Sequence, residues 1–273
     1  MASTELTDPG SARVRRLQRL ARRAFRADER RFLAEGAQVV REALLAAREG
    51  KAVVVELLAT PDAASRHADL LAAAESTNVP VTVATPAVLD KVSETVTPQG
   101  LIAVVGFVDV SLGELVAGRP RLVAVLADVR DPGNAGSVIR AADAAGADGV
   151  VFAGDSVDPY NGKAVRASVG GLFHLPLVVA VTVESAVAAL RDAGLSVLVA
   201  DGSGSRDLDT TDALEQPTVW VFGNEAWGVP DDVVEAADAA VRIPIYGRAE
   251  SLNLATAATL CLYASARAQR DSR

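Results

Sequence analysis

One cysteine, two histidines and few aromatic residues limit the chemistry open to this 273-residue chain. Cys261 has no partner for an intrachain disulfide, so a reducing, cytoplasmic setting is expected. His67 and His174 lie far apart in sequence, and no cluster has metal-ligand spacing, so no metal is expected. No apolar run reaches membrane-spanning length. The stretch 1–16 lacks an apolar centre and does not read as a signal peptide. The G-x-S-x-G elbow of serine hydrolases is also missing. Gly202 and Gly204 follow an apolar run, but no amphipathic helix comes next, which disfavours a dinucleotide-binding fingerprint.

What is present is a chain that is 50% hydrophobic, long enough for two modest domains or one large one. Such a composition excludes disorder over most of its length. The net charge of −8 argues against a nucleic-acid partner, but its distribution reverses that. Nine arginines give residues 1–31 a net charge of +5, leaving −13 on the rest. A basic RNA-contacting arm on an acidic body would look like this. A solvated amphipathic helix, with Leu17, Leu20 and Ala24 at helical spacing, is the other account.

Apolar runs at 53–60, 79–85 and 101–108 alternate with helical patterns, predicting a small, parallel-type α/β layer. The polar stretch 109–120 reads as a linker. Strand-like runs at 122–129, 149–154, 173–180, 195–201, 218–223 and 240–245 follow, with helices between several of them and a terminal helix over 251–269. That pattern predicts a parallel sheet covered on both faces, with a loop at 155–170.

Three blocks in this second half end apolar runs in glycine, asparagine and charged residues. The first is 128–146. Asn134 there precedes a helical pattern and suits an N-cap. Arg140 stands among Val138, Ile139, Ala141 and Ala142; it is functional, sits at an exposed helix edge, or pairs with Asp143 or Asp128. The second, 219–230, holds Gly223, which permits close backbone approach to a ligand, and Glu225, a natural bidentate partner for arginine or a solvated turn residue. Trp227 reads as packing ahead of base stacking. The third, 241–263, holds Ser251, an N-cap candidate, and Asn253, which capping leaves unexplained. Loops at the carboxyl ends of strands in an open α/β sheet converge on one pocket.

These blocks resemble the motifs of the SpoU (TrmH-type) RNA ribose 2′-O-methyltransferases of the SPOUT superfamily. Asn134-x-Gly136…Arg140, Gly223-Asn224-Glu225 and Ile243-Pro244…Ser251-Leu252-Asn253 occur in the family's order. The resemblance implies an α/β fold: a C-terminal SPOUT domain (121–273) with a parallel sheet and a deep trefoil knot, and a smaller N-terminal α/β RNA-binding domain (1–108). It implies S-adenosyl-L-methionine as cofactor, held near Ala200, Gly223, Ile243 and Leu252. Arg140 would be catalytic, as general base or electrostatic stabiliser, supported by Asn134, Glu225, Ser251 and Asn253. Glu225 would orient Arg140. Structured RNA, ribosomal ahead of transfer RNA, would be the substrate of a homodimer. A catalytically silent RNA-binding protein is the alternative. Tyr246 departs from the family, where many members carry methionine.

Overall fold

The computed structural model describes residues 4–271, which divide into two units. The first comprises 4–108 together with 160–174, and the second 109–159 together with 175–271.

The first unit runs β1 (Thr4–Leu6), α1 (Ala12–Arg19), α2 (Arg23–Glu29), β2 (Arg31–Glu35), α3 (Ala37–Arg48), β3 (Val54–Ala59), α4 (Pro61–Arg66), α5 (Ala68–Ser76), β4 (Val81–Ala84), α6 (Pro86–Val92) and β5 (Leu101–Gly106). Its sheet has the order β1-β4-β3-β5-β2. Helical crossovers keep β3 and β4 parallel, but β5 is antiparallel to both β2 and β3. The sheet is therefore mixed, not parallel as the alternation predicts. Residues 93–100 bring the chain back to the carboxyl end of β3, where the Thr60 amide donates to the Gly100 carbonyl at 2.9 Å. Strand runs in a sequence carry no direction, so this reversal is invisible there.

The basic segment folds as two short helices, not one. Leu17 and Leu20 are buried in the core of this unit, while Ala24 is exposed. Arg26 is buried and donates to the carbonyls of Leu20 and Ala21, both at 2.8 Å. Arg13 pairs with Glu56, and Arg16 with Glu29. Arg22 and Arg23 are exposed, and their side chains have no hydrogen bond or ion pair among the described residues.

The second unit contains α7 (Leu112–Ala117), β6 (Leu122–Ala127), α8 (Pro132–Ala145) and β7 (Gly149–Ala153). The chain then contributes α9 (Gly162–Ser168) to the first unit. It returns as β8 (Leu177–Val181), α10 (Val183–Asp192), β9 (Ser196–Ala200), β10 (Arg206–Asp207), β11 (Thr218–Phe222), α11 (Asp231–Ala236), β12 (Ala239–Arg242) and α12 (Leu254–Asp271). Two expectations change here. The stretch 109–120 is not a linker: Ser111 and Glu114 form a reciprocal capping box that starts α7. The loop expected over 155–170 contains α9, and Tyr160 stacks on Phe107 at 3.9 Å between ring centroids within the first unit.

The sheet order is β10-β12-β9-β11-β6-β7-β8, and every pairing is parallel. β6, β7 and β11 are buried along their whole length, as parallel strands covered on both faces must be. Fully buried Trp220 of β11 donates its indole N–H to Ser265 of α12 at 2.9 Å, which pins the terminal helix to the sheet. From β6 the chain first adds strands on one side, then crosses to the other. The carboxyl ends of β6, β11 and β9 therefore surround a topological switch point, the usual place for a ligand in such sheets.

Candidate active site and family membership

Among the loops that leave the sheet at this end are 128–131 after β6, 201–205 after β9, 223–230 after β11 and 243–253 after β12. The last three enclose a cavity of about 410 Å³. Its wall includes Ala200, Gly223, Glu225, Ile243, Ser251, Leu252 and Asn253, so seven of the nine residues singled out in the sequence meet there. Asn134 and Arg140 do not line it.

Asn134 nevertheless joins the group. The cap of α8 is not Asn134 but Asp131, whose carboxylate accepts the Asn134 backbone N–H at 2.8 Å, with Pro132 opening the helix. The Asn134 side chain is thereby free to reach across. Its Nδ2 donates to Glu225 Oε1, and its Oδ1 accepts from Asn253 Nδ2 at 3.0 Å. Asn253, in place of Ser251, caps α12: its Oδ1 accepts the Ala255 N–H at 2.9 Å. One side chain from each of the three sequence blocks thus forms a single hydrogen-bonded chain.

The Glu225 carboxylate takes Asn134 where an arginine partner is expected. Arg140 is exposed, and its side chain has no hydrogen bond or ion pair among the described residues. Six residues along α8 place it about 9 Å further down the axis and about 120° around from Asn134. The expected orientation of Arg140 by Glu225 does not occur within one chain.

Gly223 is also required by the fold itself. A Cβ there would overlap the backbone of Gly228, which folds back in the turn 224–228. That turn is closed by Asn224 and Gly228, whose amides donate to each other's carbonyls at 3.0 and 2.8 Å. Buried Asn224, part of the second motif but given no role by the sequence, also donates from Nδ2 to the Asp128 carbonyl at 2.8 Å and so braces the β11 loop against the β6 loop. An asparagine between a glycine and a charged residue, just after an apolar run, is the hint its sequence offers. Gly202, by contrast, faces open space. On the rim of the β12 loop, the Tyr246 hydroxyl donates to Asp209 at 2.7 Å, which raises the phenol pKa above its ordinary value. Cys261 is buried in α12, and burial pushes its thiol far above the usual range, so it is not a nucleophile.

The sequence pattern of the SpoU rRNA Methylase family matches residues 121–263, the stretch that carries all of these loops. The chain belongs to that family. A second pattern, that of an MRM3-like substrate binding domain, covers residues 11–103 of this SpoU-family chain. The 23S rRNA (guanosine(2553)-2′-O)-methyltransferase RlmP of Bacillus subtilis is 33% identical over 235 residues, 85% of this chain and 87% of that one. Among solved structures, an AdoMet-bound rRNA methyltransferase from Sinorhizobium meliloti superposes with a TM-score of 0.85 at 30% identity, covering 97% of this chain and 98% of that one. The SpoU methyltransferase AviRb from Streptomyces viridochromogenes, in complex with AdoMet, gives 0.81 at 34% identity over 96% and 100%. The α/β fold with a parallel sheet is therefore that of SpoU methyltransferases. Among the described residues of this SpoU-family member, no helix is long and apolar enough to cross a membrane, and no group of acidic, histidine or cysteine residues could hold a metal ion.

Proposed function

We propose that this protein transfers a methyl group from S-adenosyl-L-methionine to a ribose 2′-hydroxyl of structured RNA, with ribosomal RNA as the substrate class. The observation that carries the reading is the cavity at the carboxyl ends of the strands, bordered by residues of the second and third motifs, two of which, Glu225 and Asn253, are linked through Asn134 of the first.

Its volume falls in the range of small-molecule sites, about 300–1,000 Å³. Its wall combines apolar Val241, Ile243 and Leu252 with open backbone at Gly202, a composition that fits an adenosyl group with polar attachments. Ala200, Gly223, Ile243 and Leu252 would hold the cofactor. When bound, it supplies an activated sulfonium methyl group. The chain's own contribution is placement and charge. Asn134 and Asn253 fix the Glu225 carboxylate at the cavity edge, leaving its second oxygen for the incoming ribose or for a cation beside it. Ser251 borders the same edge. Orientation of this kind supplies several kcal/mol of a transfer barrier. Arg140 acts as an electrostatic stabiliser of the charge developing on the 2′-oxygen, because a guanidinium stays protonated in proteins.

That role places Arg140 at the cavity of a second copy. α8 and α12 pack together, and Leu260 and Tyr263 of α12 stay 43% and 41% exposed, an apolar face suited to a homodimer. The first unit recognises the RNA, the stretch 243–253 with α12 forms the trefoil knot, and the protein works in the cytoplasm. The test is incubation of the purified protein with unmodified 23S rRNA and methyl-labelled cofactor, followed by nuclease digestion and mass spectrometry. A single 2′-O-methylated nucleotide is expected. Label on a base, or none, overturns the assignment.

A further inference from the structure

Trp227 and Arg130 stand on two loops that the mechanism uses only for their neighbours. Trp227 lies two residues beyond Glu225 and is 60% exposed, whereas the other tryptophan, Trp220, is fully buried. An exposed indole at the tip of a closed turn contributes nothing to the core, contrary to its sequence-based reading as packing. Backbone hydrogen bonds between Asn224 and Gly228 close the turn, and the Asn224 side chain ties it to Asp128. Arg130, on the β6 loop, has its guanidinium carbon 5.8 Å from the Trp227 ring centroid, and its Nη2 lies 3.3 Å from Asp155 Oδ2. That ion pair is solvent-exposed on both sides and therefore weak.

We propose that Trp227 and Arg130 form a platform on which a base flanking the target ribose stacks, with Arg130 holding the adjoining phosphate. The proposal rests on the RNA methyl-transfer reading and adds residues that position its substrate. Aromatic faces bind unpaired bases of any sequence; Arg130 lies over one face of the indole, so the opposite face is the one offered to a base, and its charge suits the adjoining phosphate. Only Ala226 separates Trp227 from Glu225, so the platform stands on the same turn as the carboxylate at the cavity edge. The indole is also pre-positioned, so little is lost in ordering it when RNA arrives.

Because one tryptophan is exposed and one buried, the protein reports on itself by fluorescence. A mixed-sequence, single-stranded ten-nucleotide RNA should quench the exposed emission, and inorganic polyphosphate should not. Trp227→Ala should weaken binding of that RNA about 5- to 100-fold, the worth of one stacked base. Trp227→Phe should restore most of that loss. Arg130→Ala should lower the slope of log affinity against log salt by about one. All three variants should bind S-adenosylhomocysteine normally. Absence of quenching, or equal quenching by polyphosphate, overturns the proposal. So does an unchanged RNA affinity in Trp227→Ala, including the case where its sedimentation shifts and the residue proves a protomer contact. If the platform binds RNA but no 2′-O-methyl nucleotide ever forms, it is the methyl-transfer reading that fails. If wild type methylates 23S rRNA and Trp227→Ala does so with the same KM for RNA, only the platform fails.

Discussion

The side chains of Asn134 and Glu225, 91 positions apart, are hydrogen bonded, amide to carboxylate. The bond joins the first turn of α8 to the loop after β11, and Asn253 extends it to the start of α12. Three segments from separate parts of the sequence are thereby held in one arrangement beside the cavity.

Breaking that chain should cost activity more than stability. Asn134→Ala removes two side-chain hydrogen bonds near the surface, worth about 1–3 kcal/mol together at most. Turnover should fall about 10²-fold, with cofactor affinity changed far less. Asn134→Asp should be as inactive, because it sets one carboxylate against another. The comparison needs single-turnover methylation, a thermal melt and a cofactor titration on the same samples. A variant that methylates normally would show the chain to be scaffolding only.

Arg140 is exposed and unpartnered among the described residues, so Arg140→Ala should leave the melting temperature nearly unchanged, within about 0.5 kcal/mol. Methyl transfer should drop about 10²-fold or more. Arg140→Lys should fail too, since a point charge lacks the planar fork that engages phosphate. If the residue serves a second copy, mixing Arg140→Ala with Glu225→Ala protein should restore part of the activity that neither has alone. Full activity of Arg140→Ala would remove the residue from the reaction.

Removing residues 1–31 would not isolate RNA binding, because β1 pairs with β4 and Leu17 and Leu20 belong to the core. Single arginines separate the roles. Arg22→Ala with Arg23→Ala should reduce the salt slope of RNA binding by about two and leave the fold intact. Arg26→Ala should do the reverse. It leaves the Leu20 and Ala21 carbonyls without their donor and should destabilise the unit by about 1–3 kcal/mol, read from a melt.

Glu94 provides a pH signature. The residue is exposed overall, but its carboxylate lies against Gly162, and desolvation raises its pKa above the ordinary glutamate value of 4.5 in spite of Arg26 and Arg166. A carboxyl raised on folding favours the native state fully below its unfolded pKa, and that contribution is lost as pH rises through the folded pKa. Glu94→Gln keeps an acceptor for the Gly162 amide and removes the charge. It should therefore melt higher than wild type at pH 7, with the difference closing as pH falls toward 4. A gap that persists unchanged at pH 4 would rule out the carboxylate as its source.

The site was more legible in the sequence than the way it is assembled. Ala200, Gly223 and Ile243 stand where apolar strands end, and strand ends in a parallel sheet share one edge; Leu252 lies just before α12, and the assignment of all four to the cofactor comes from the resemblance to the family. The distribution of jobs among asparagines did not. Asn134 and Ser251 read as caps because they precede helices, yet Asp131 and Asn253 do the capping. A cap is chosen by the dihedrals of one residue, and neighbouring polar residues advertise themselves equally. The antiparallel β5 and the linker that proved to be α7 went unread for a related reason. Strand direction and short-helix packing are decided by contacts far away in sequence.

The return of residues 160–174 to the first unit has a practical consequence for anyone dissecting this enzyme. That unit is discontinuous, with the chain passing between the units after Val108, Pro159 and His174. No single splice point liberates it, and a graft onto a relative's methyl-transfer half must carry α9 along. Clipping the backbone once between the units would leave them covalently joined, so their fates in a proteolysis gel should stay coupled until at least three bonds are cut.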